Sequence, residues 1–93
     1  MSFELGLLEE ALKEWGKLDG SVRDQFKSKL SERLADPRVA SAKLRGYADR
    51  YKIKLRSIGY RLVYEVRDGQ LLVVVITMGK LERNTVYQAA EQR

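Results

Sequence analysis

A single stretch decides the fold, YKIKLRSIGYRLVYEV at residues 51–66. Apolar and charged side chains alternate along residues 51–56 and largely again along residues 60–66, with Ser57-Ile58-Gly59 between them. A period of two is typical of a half-buried strand, and a short break that contains glycine is typical of a hairpin turn. The stretch therefore predicts two antiparallel strands that share one apolar face.

The sequence after this hairpin adds a third strand. Asp68-Gly69 is a strong signal for a type I′ turn between strands. Residues 71–78 are apolar on both faces, which is typical of a strand in the middle of a sheet. Together with the hairpin they predict a three-stranded antiparallel meander.

Upstream of the meander, apolar residues recur at helical spacing in two segments. The first set is Leu8, Ala11, Leu12, Trp15 and Leu18, and the second is Val22, Phe26, Leu30 and Leu34. Ser21 followed by Asp24 resembles a capping box at the start of the second helix. That helix should end at Asp36-Pro37, because the residue before a proline disfavours the α region.

The two ends of the chain complete the predicted order β-α-α-β-β-β-(α). Phe3, Leu5 and Leu7 alternate with other residues and predict a short strand, whereas residues 82–93 have a thin apolar stripe and predict a short, weakly packed helix. We expect a single α+β domain over residues 1–93. Its antiparallel sheet of about four strands should carry a two-helix hairpin packed on one face and leave the other face largely open.

The composition excludes several kinds of chemistry. The 93 residues include no cysteine and no histidine, so the chain has no disulfide, thiol nucleophile, imidazole base or imidazole metal ligand. We therefore expect neither a metal nor a cofactor. No apolar run approaches the ~20 residues that span a bilayer, and the N-terminus lacks the basic region of a signal peptide. These features predict a cytoplasmic protein with no membrane partner.

The positive charge is concentrated in one segment. The net charge is +5, and residues 38–61 alone carry eight basic residues against one acidic residue, Asp49. A polyanion is the first partner that such a segment suggests, and a solvated face or an acidic protein partner is the alternative. Residues 1–37 have an acidic excess and show no basic recognition helix, which disfavours a DNA-binding regulator.

The strand period puts Lys52, Lys54 and Arg56 on one face, ~7 Å apart between alternate residues, and the hairpin brings Arg61 beside them. Cleavage of RNA by the ribose 2′-OH needs a base and stabilisation of charge at phosphorus. A lysine among like charges has a lowered pKa and can act as a base, while arginine stays charged. Glu65 is the only carboxylate on this face, and Tyr47 and Tyr87 are expected to be able to meet an RNA base. Cleavage without a metal is thus chemically possible, but inefficient unless something else positions the substrate.

Several segments together resemble the RelE toxins of bacterial type II toxin–antitoxin systems. They are Ala11-Leu12-Lys13-Glu14-Trp15, Lys43-Leu44-Arg45-Gly46, residues 51–57, residues 59–66, Gly79-Lys80 and Val86-Tyr87. Each motif is modest, but their order and spacing are specific. The resemblance implies an endonuclease that enters the A site of the 70S ribosome, contacts 16S rRNA and cuts mRNA, thereby inhibiting translation. It also implies a RelB-like antitoxin that neutralises the toxin and, as a complex, represses the operon, so that operator DNA is contacted only through the antitoxin complex.

The resemblance also implies a set of site residues. Lys52, Lys54, Arg61 and Tyr87 match the catalytic positions: Lys54 transfers a proton with the 2′-OH, Lys52 and Arg61 stabilise phosphate charge, and Tyr87 orients or stacks on the substrate. The expected RNA- or ribosome-binding residues are Lys43, Arg45, Arg56, Lys80 and Arg83.

One family position is altered, because Leu81 stands where the family usually has arginine. Losing a contact to transition-state charge typically costs ~10²–10³ in rate. We therefore expect an attenuated enzyme, unless Lys80 or Arg83 compensates.

Two other functions remain open at this point. A ParE-like toxin would have the same fold and no nuclease activity, with DNA gyrase as its target, but it would not need Lys52, Lys54, Arg61 and Tyr87 together. A basic RNA- or ribosome-binding module would use the same face without cleavage.

Overall fold

The computed structural model describes residues 3–80 and 85–93. The elements in chain order are β1 (Glu4–Leu7), α1 (Glu9–Gly16), α2 (Gly20–Ala35), β2 (Arg50–Leu55), β3 (Tyr60–Arg67), β4 (Leu72–Lys80) and α3 (Thr85–Gln92). Short 3-10 turns at Ala40–Ala42 and Asp68–Gln70 connect them. None of the helices in this part of the chain combines the length and the apolar character that crossing a membrane requires.

The four strands form one sheet in the order β1-β4-β3-β2. The predicted α+β class and the antiparallel meander of β2, β3 and β4 are confirmed. The sheet is nevertheless mixed, since β1 runs parallel to β4 and Glu4 lies opposite Leu72. Alternation in residues 3–7 predicts a strand but not its direction. The parallel pairing covers the second edge of β4, the strand whose two faces are both apolar.

One face of the sheet packs under the two helices, as the helical spacing predicted. The core between them comprises Ala11, Val22, Phe26, Leu30, Tyr51, Ile53, Leu55, Leu62, Tyr64, Val66, Val73, Val75 and Met78. The rings of Tyr51 and Tyr64 stack across β2 and β3 with centroids 5.7 Å apart. Leu12 departs from the prediction, because 57% of it is exposed. It lies beyond the edge of the buried stripe, which α1 contributes mainly through Ala11.

Two local predictions were wrong. Asp19, not Ser21, caps α2, and its carboxylate accepts hydrogen bonds from the Ser21 amide at 3.2 Å and the Ser21 hydroxyl at 2.7 Å. The turn after β3 is not type I′, since Arg67 pairs with Leu72 and four residues lie between them, too many for a two-residue turn. Leu71, with φ +50°, takes the left-handed conformation there.

The second face is covered in part by α3, which was predicted to pack weakly. Val86 and Ala90 are buried against Val63, Val74 and Ile76. Two arginines hold the helix end: the Nη1 of Arg50 donates to the Ala90 carbonyl at 2.6 Å, and the Nη1 of Arg93 donates to the Ile76 carbonyl at 3.0 Å. These bonds supply what the thin apolar stripe lacks. Among residues 3–80 and 85–93, α3 packs mainly over β3 and β4, which leaves the β2 side of this face open.

Candidate active site

The open part of the second face carries three cations on adjacent strands. Lys54 on β2 is the direct cross-strand partner of Arg61 on β3, and Lys52 lies opposite Val63. The apolar neighbours Tyr51, Ile53 and Leu55 turn to the other face and are buried in the core. The alternation that builds the hairpin therefore also brings Lys52, Lys54 and Arg61 together. Arg56, expected in the same row, lies in the turn after β2 and is exposed.

Arg61 is the central cation of this face, between Lys54 on β2 and Gly79 on β4. Its Nη1 donates to the carbonyl of Tyr60 at 2.9 Å, whereas its buried Nε has no hydrogen-bond partner among the described residues. A buried donor without a partner is costly, and an anion that accepts from it removes that cost. The geometry thus suits Arg61 to binding a phosphate oxygen.

The charges of this cluster alter the basicity of Lys54. The positive charge of Lys52 is the largest influence that holds the pKa of Lys54 below its usual value, and lost hydration and the charges of Arg56 and Arg61 act in the same direction. A lowered pKa increases the neutral fraction of a lysine at physiological pH. Lys54 is therefore the side chain of this face best suited to accept a proton.

Tyr87 reaches the same face from α3. It is partly buried against the cluster formed by Val63, Ile76 and Val86, and Val63 is two residues from Arg61 along β3. Gly79 lies beside α3, since a Cβ built there would be in ordinary van der Waals contact with Val86, at 3.6 Å. The docked helix thus places Tyr87 on the face that carries the cations, against a cluster that includes Val63, the cross-strand partner of Lys52.

Glu65 and Tyr47 are engaged elsewhere. The carboxylate of Glu65 accepts from Arg67 at 2.8 Å and from Arg50 at 3.2 Å. Burial acts to raise the pKa of Glu65, but the hydrogen bonds from Arg67 and Arg50 outweigh it and leave the pKa below its usual value. Tyr47, expected to be able to meet an RNA base, instead has the Arg50 guanidinium 4.9 Å above its ring. Glu65 is thus paired with two arginines, and Tyr47 packs against a guanidinium.

The expected RNA-binding residues lie at separate points of the chain. Lys43 and Arg45 are exposed, and Lys43 forms an isolated bridge with Tyr51 beside β2. Lys80 ends β4 and is exposed. Leu81 and Arg83 lie outside the described residues.

Ion pairing divides the basic residues of the segment 38–61. Arg38 pairs with Asp49 at 2.9 Å and also with Asp68, and Arg50 pairs with Glu65. These two arginines stabilise loops and the end of α3. The count of charges in the segment could not distinguish such structural arginines from RNA-binding ones. Within residues 3–80 and 85–93, the other six basic residues of the segment form no ion pair with a carboxylate: Lys43, Arg45, Lys52, Lys54, Arg56 and Arg61.

Sequence reasoning missed two side chains near the site, Arg33 and Ser41. Both line a groove of about 190 Å³ with Lys52, Lys54 and Arg56. Arg33 lies within residues 1–37, the segment with an acidic excess, and no local pattern distinguishes it from the other cations of α2. Its proximity arises only because α2 packs against β2.

Comparisons with known proteins agree with this fold. The model of the family described as the ParE toxin of type II toxin–antitoxin system, parDE, matches residues 6–84. The chain is 55% identical to the mRNA interferase toxin RelE of Escherichia coli (strain K12) over 93 residues, which cover 100% of this chain and 98% of that protein. A structure of a double mutant of E. coli toxin RelE in the free state superposes with a TM-score of 0.92 at 54% identity, covering 100% of this chain and 98% of the other. The intact E. coli RelBE toxin–antitoxin complex has a chain that matches with a TM-score of 0.85 at 56% identity, covering 88% of this chain and 100% of that one.

Proposed function

This chain belongs to the RelE toxins within the ParE toxin family of type II toxin–antitoxin systems, and on that premise we propose that it is an mRNA interferase. The enzyme is an endoribonuclease that cuts mRNA in the A site of the ribosome and thereby inhibits translation. The observation that carries this proposal is the face on which Lys54 lies opposite Arg61, with Lys52 on the same strand and Tyr87 on the adjoining helix.

The nuclease is favoured over a ParE-like toxin that lacks cleavage. The family model bears the ParE name, but the relatives that match the full length at 55% identity are named mRNA interferases. A toxin without nuclease activity has no need of a lysine of lowered pKa beside an arginine with a buried, unpartnered Nε.

The proposed reaction is an attack of the ribose 2′-oxygen on the adjacent phosphorus. Lys54, in its neutral form, takes the proton of the 2′-OH as the new oxygen–phosphorus bond forms. Lys52 and Arg61 stabilise the negative charge that develops on the non-bridging oxygens. The bond from phosphorus to the 5′-oxygen breaks, and that oxygen takes up a proton from solvent. The products are a 2′,3′-cyclic phosphate and a 5′-hydroxyl, and Tyr87 stacks on or orients the reacting nucleotide.

The ribosome supplies the positioning that this chain lacks. A lysine is a poor general base unless the nucleophile is held in line with the leaving group. Correct orientation of the reacting groups can lower the activation barrier by up to about 7–11 kcal/mol. Lys43, Arg45, Arg56, Lys80 and Arg83 are proposed to bind mRNA or 16S rRNA. The whole chain, residues 1–93, acts as a single toxin domain in the cytoplasm, where its substrate is found.

The proposed protein partner is a RelB-like antitoxin. The RelE relative has been solved in complex with its RelB antitoxin and with a peptide of that antitoxin. By the same logic the antitoxin neutralises this chain, and operator DNA is contacted only through the toxin–antitoxin complex.

Primer extension on programmed ribosomes tests the proposal directly. The wild-type chain should produce a cut within the A-site codon, and Lys54→Ala should bind ribosomes but leave the mRNA intact. Ribosome binding without a cut by the wild-type chain would favour the binding module instead. Inhibition of DNA gyrase in a supercoiling assay would favour the ParE-like alternative.

A further inference from the structure

A groove lies at the free edge of β2, next to the catalytic face. The groove of about 190 Å³ lies between the C-terminal part of α2, the turn Ala40–Ala42 and the edge of β2. Its lining consists of Arg33, Ser41, Ala42, Lys52, Lys54 and Arg56. Four of these six residues are cations and none is acidic, so the groove is strongly electropositive.

Arg33 is held in place by neutral partners. Its Nη1 donates to the Tyr64 hydroxyl at 2.9 Å and to the Lys52 carbonyl at 3.3 Å, and its guanidinium lies 5.8 Å from the Tyr64 ring centroid. The Tyr64 hydroxyl in turn donates to the Pro37 carbonyl at 2.6 Å. Within the described residues both bonds of Arg33 use Nη1, so Nη2 is left for a ligand. The arginine is therefore oriented without being neutralised.

Four arginines outside the groove are paired differently. Arg38, Arg50, Arg67 and Arg93 each pair with at least one carboxylate. Among residues 3–80 and 85–93, the four cations of the groove form no such pair. Like charges that converge on one concavity repel each other until an anion binds between them.

We propose that this groove binds a phosphodiester of RNA next to the one that is cleaved, with Arg33 and Arg56 as charged donors and the Ser41 hydroxyl as a neutral donor. The inference rests on the proposed function, because Lys52 and Lys54 line both surfaces. An RNA strand whose scissile phosphate lies at Arg61 can continue past Lys52 and Lys54 and over the edge of β2. Alternate residues of a strand are ~7 Å apart, comparable to the spacing of successive phosphates in an extended RNA. The phosphodiester comes either from the mRNA or from ribosomal RNA.

Binding of uncleavable RNA tests the groove independently of catalysis. Affinities for a trinucleotide and a heptanucleotide, both fully 2′-O-methylated, are measured across a range of salt concentrations for the wild type, Arg33→Gln and Ser41→Asp. Arg67→Gln is the matched control, since it removes the same charge from an exposed arginine outside the groove. Ser41→Asp removes none of the groups that hold Arg33, and thermal unfolding checks that every variant is folded.

If the groove binds mRNA, Arg33→Gln and Ser41→Asp weaken heptanucleotide binding about 10-fold, and trinucleotide binding changes little. The dependence of log Kd on log salt for the heptanucleotide should then fall by about 0.7, one phosphate contact to a single strand. Weaker binding to empty 70S ribosomes, with oligonucleotide binding unchanged, supports the site and identifies ribosomal RNA as the source.

The proposal is overturned if neither variant affects any RNA ligand, or if Arg67→Gln has the same effect as Arg33→Gln. Cleavage by the wild-type chain is measured separately on programmed ribosomes. Selective loss of heptanucleotide binding in the variants, with no cleavage by the wild type, would overturn the proposed nuclease function and leave the phosphodiester site standing.

Discussion

Arg93 and Glu14 are 79 positions apart in the chain, and the Arg93 Nη1 lies 2.7 Å from the Glu14 Oε1. The same carboxylate accepts from the Thr77 hydroxyl at 3.0 Å, and the same guanidinium donates to the Ile76 carbonyl at 3.0 Å. Ile76 is the extra residue of a β-bulge, since Val63 pairs with Thr77 and Tyr64 with Val75. One ion pair thus fastens the end of α3 to both α1 and the centre of the sheet.

Breaking this ion pair should loosen α3 and displace Tyr87. Arg93→Gln is expected to lower the free energy of unfolding by about 1.5–3 kcal/mol, because Glu14 is left partly buried without its charged partner. Amide exchange in α3 should accelerate, and ribosomal cleavage should fall with ribosome affinity retained. Glu10→Gln is the control, because Glu10 is exposed and its carboxylate lies 3.9 Å from the Arg93 Nε, near the limit of an ion pair. This substitution should change the free energy of unfolding by less than about 1 kcal/mol. Equal effects of the two substitutions would contradict the assignment.

The pH dependence of cleavage should report on Lys52. The neutral form of Lys54 increases with pH until its pKa is passed, so the single-turnover rate should rise with pH up to that point. Because Lys52 is the main cause of the lowered pKa of Lys54, Lys52→Met should move this rise to higher pH. Arg56→Met removes a weaker influence and should move it less. The readout is the pH at which the rate rises, because the maximum rate also reflects the loss of phosphate binding by Lys52. A rise at the same pH in Lys52→Met and in the wild type would exclude Lys54 as the base.

Restoring the missing arginine should raise activity. Leu81→Arg is expected to increase the single-turnover cleavage rate on programmed ribosomes by ~10²–10³, the usual contribution of one donor to transition-state charge. Leu81→Gln, which is polar but uncharged, separates charge from polarity and should give a much smaller gain. If Leu81→Arg cleaved at the same rate as the wild type, Leu81 would not be the cause of attenuation.

Glu65 should stabilise the fold in a pH-dependent manner. Its pKa is lowered in the folded state, so its stabilising contribution is fully present above the unfolded pKa, ~4.3, and is lost as pH falls through the folded value. Glu65→Gln should therefore lower the free energy of unfolding by about 1.5–3 kcal/mol at pH 7. Urea unfolding at pH 7 and pH 3 measures this, and the difference from wild type should shrink at pH 3. The control is Glu91→Gln, on the exposed side of α3, which should have little effect on the free energy of unfolding at either pH. If Glu65→Gln lowered that free energy equally at both pH values, the ion pairs could not be the cause.

The sequence predicted what depends on local periodicity. A period of two fixes which residues of β2 and β3 face the core, and so it also places Lys52 and Lys54 on the opposite face from Ile53. The four-residue spacing of Val22, Phe26 and Leu30 likewise predicts α2 and its buried side.

The features that the sequence did not reveal depend on contacts between distant residues. Alternation in β1 carries no information on direction, so the parallel pairing with β4 was missed. The docking of α3 depends on Arg50 and Arg93, which bond to carbonyl groups that have no signature in the sequence. For the same reason, the sequence did not show that Arg33 lines a groove with Lys52 and Lys54, or that the Arg50 guanidinium lies over the Tyr47 ring.

The parallel pairing of β1 with β4 also has a consequence for the order of folding. The first strand of the chain can be placed only when the last is available, because Glu4 to Leu7 pair with Leu72 to Val75. Bringing such distant segments together costs chain entropy before their contacts form, which slows folding compared with helical proteins of similar size. On the ribosome, the sheet can close only after the residues of β4 have emerged. A chain proposed to arrest translation would thus reach its working form only when its own synthesis is nearly finished.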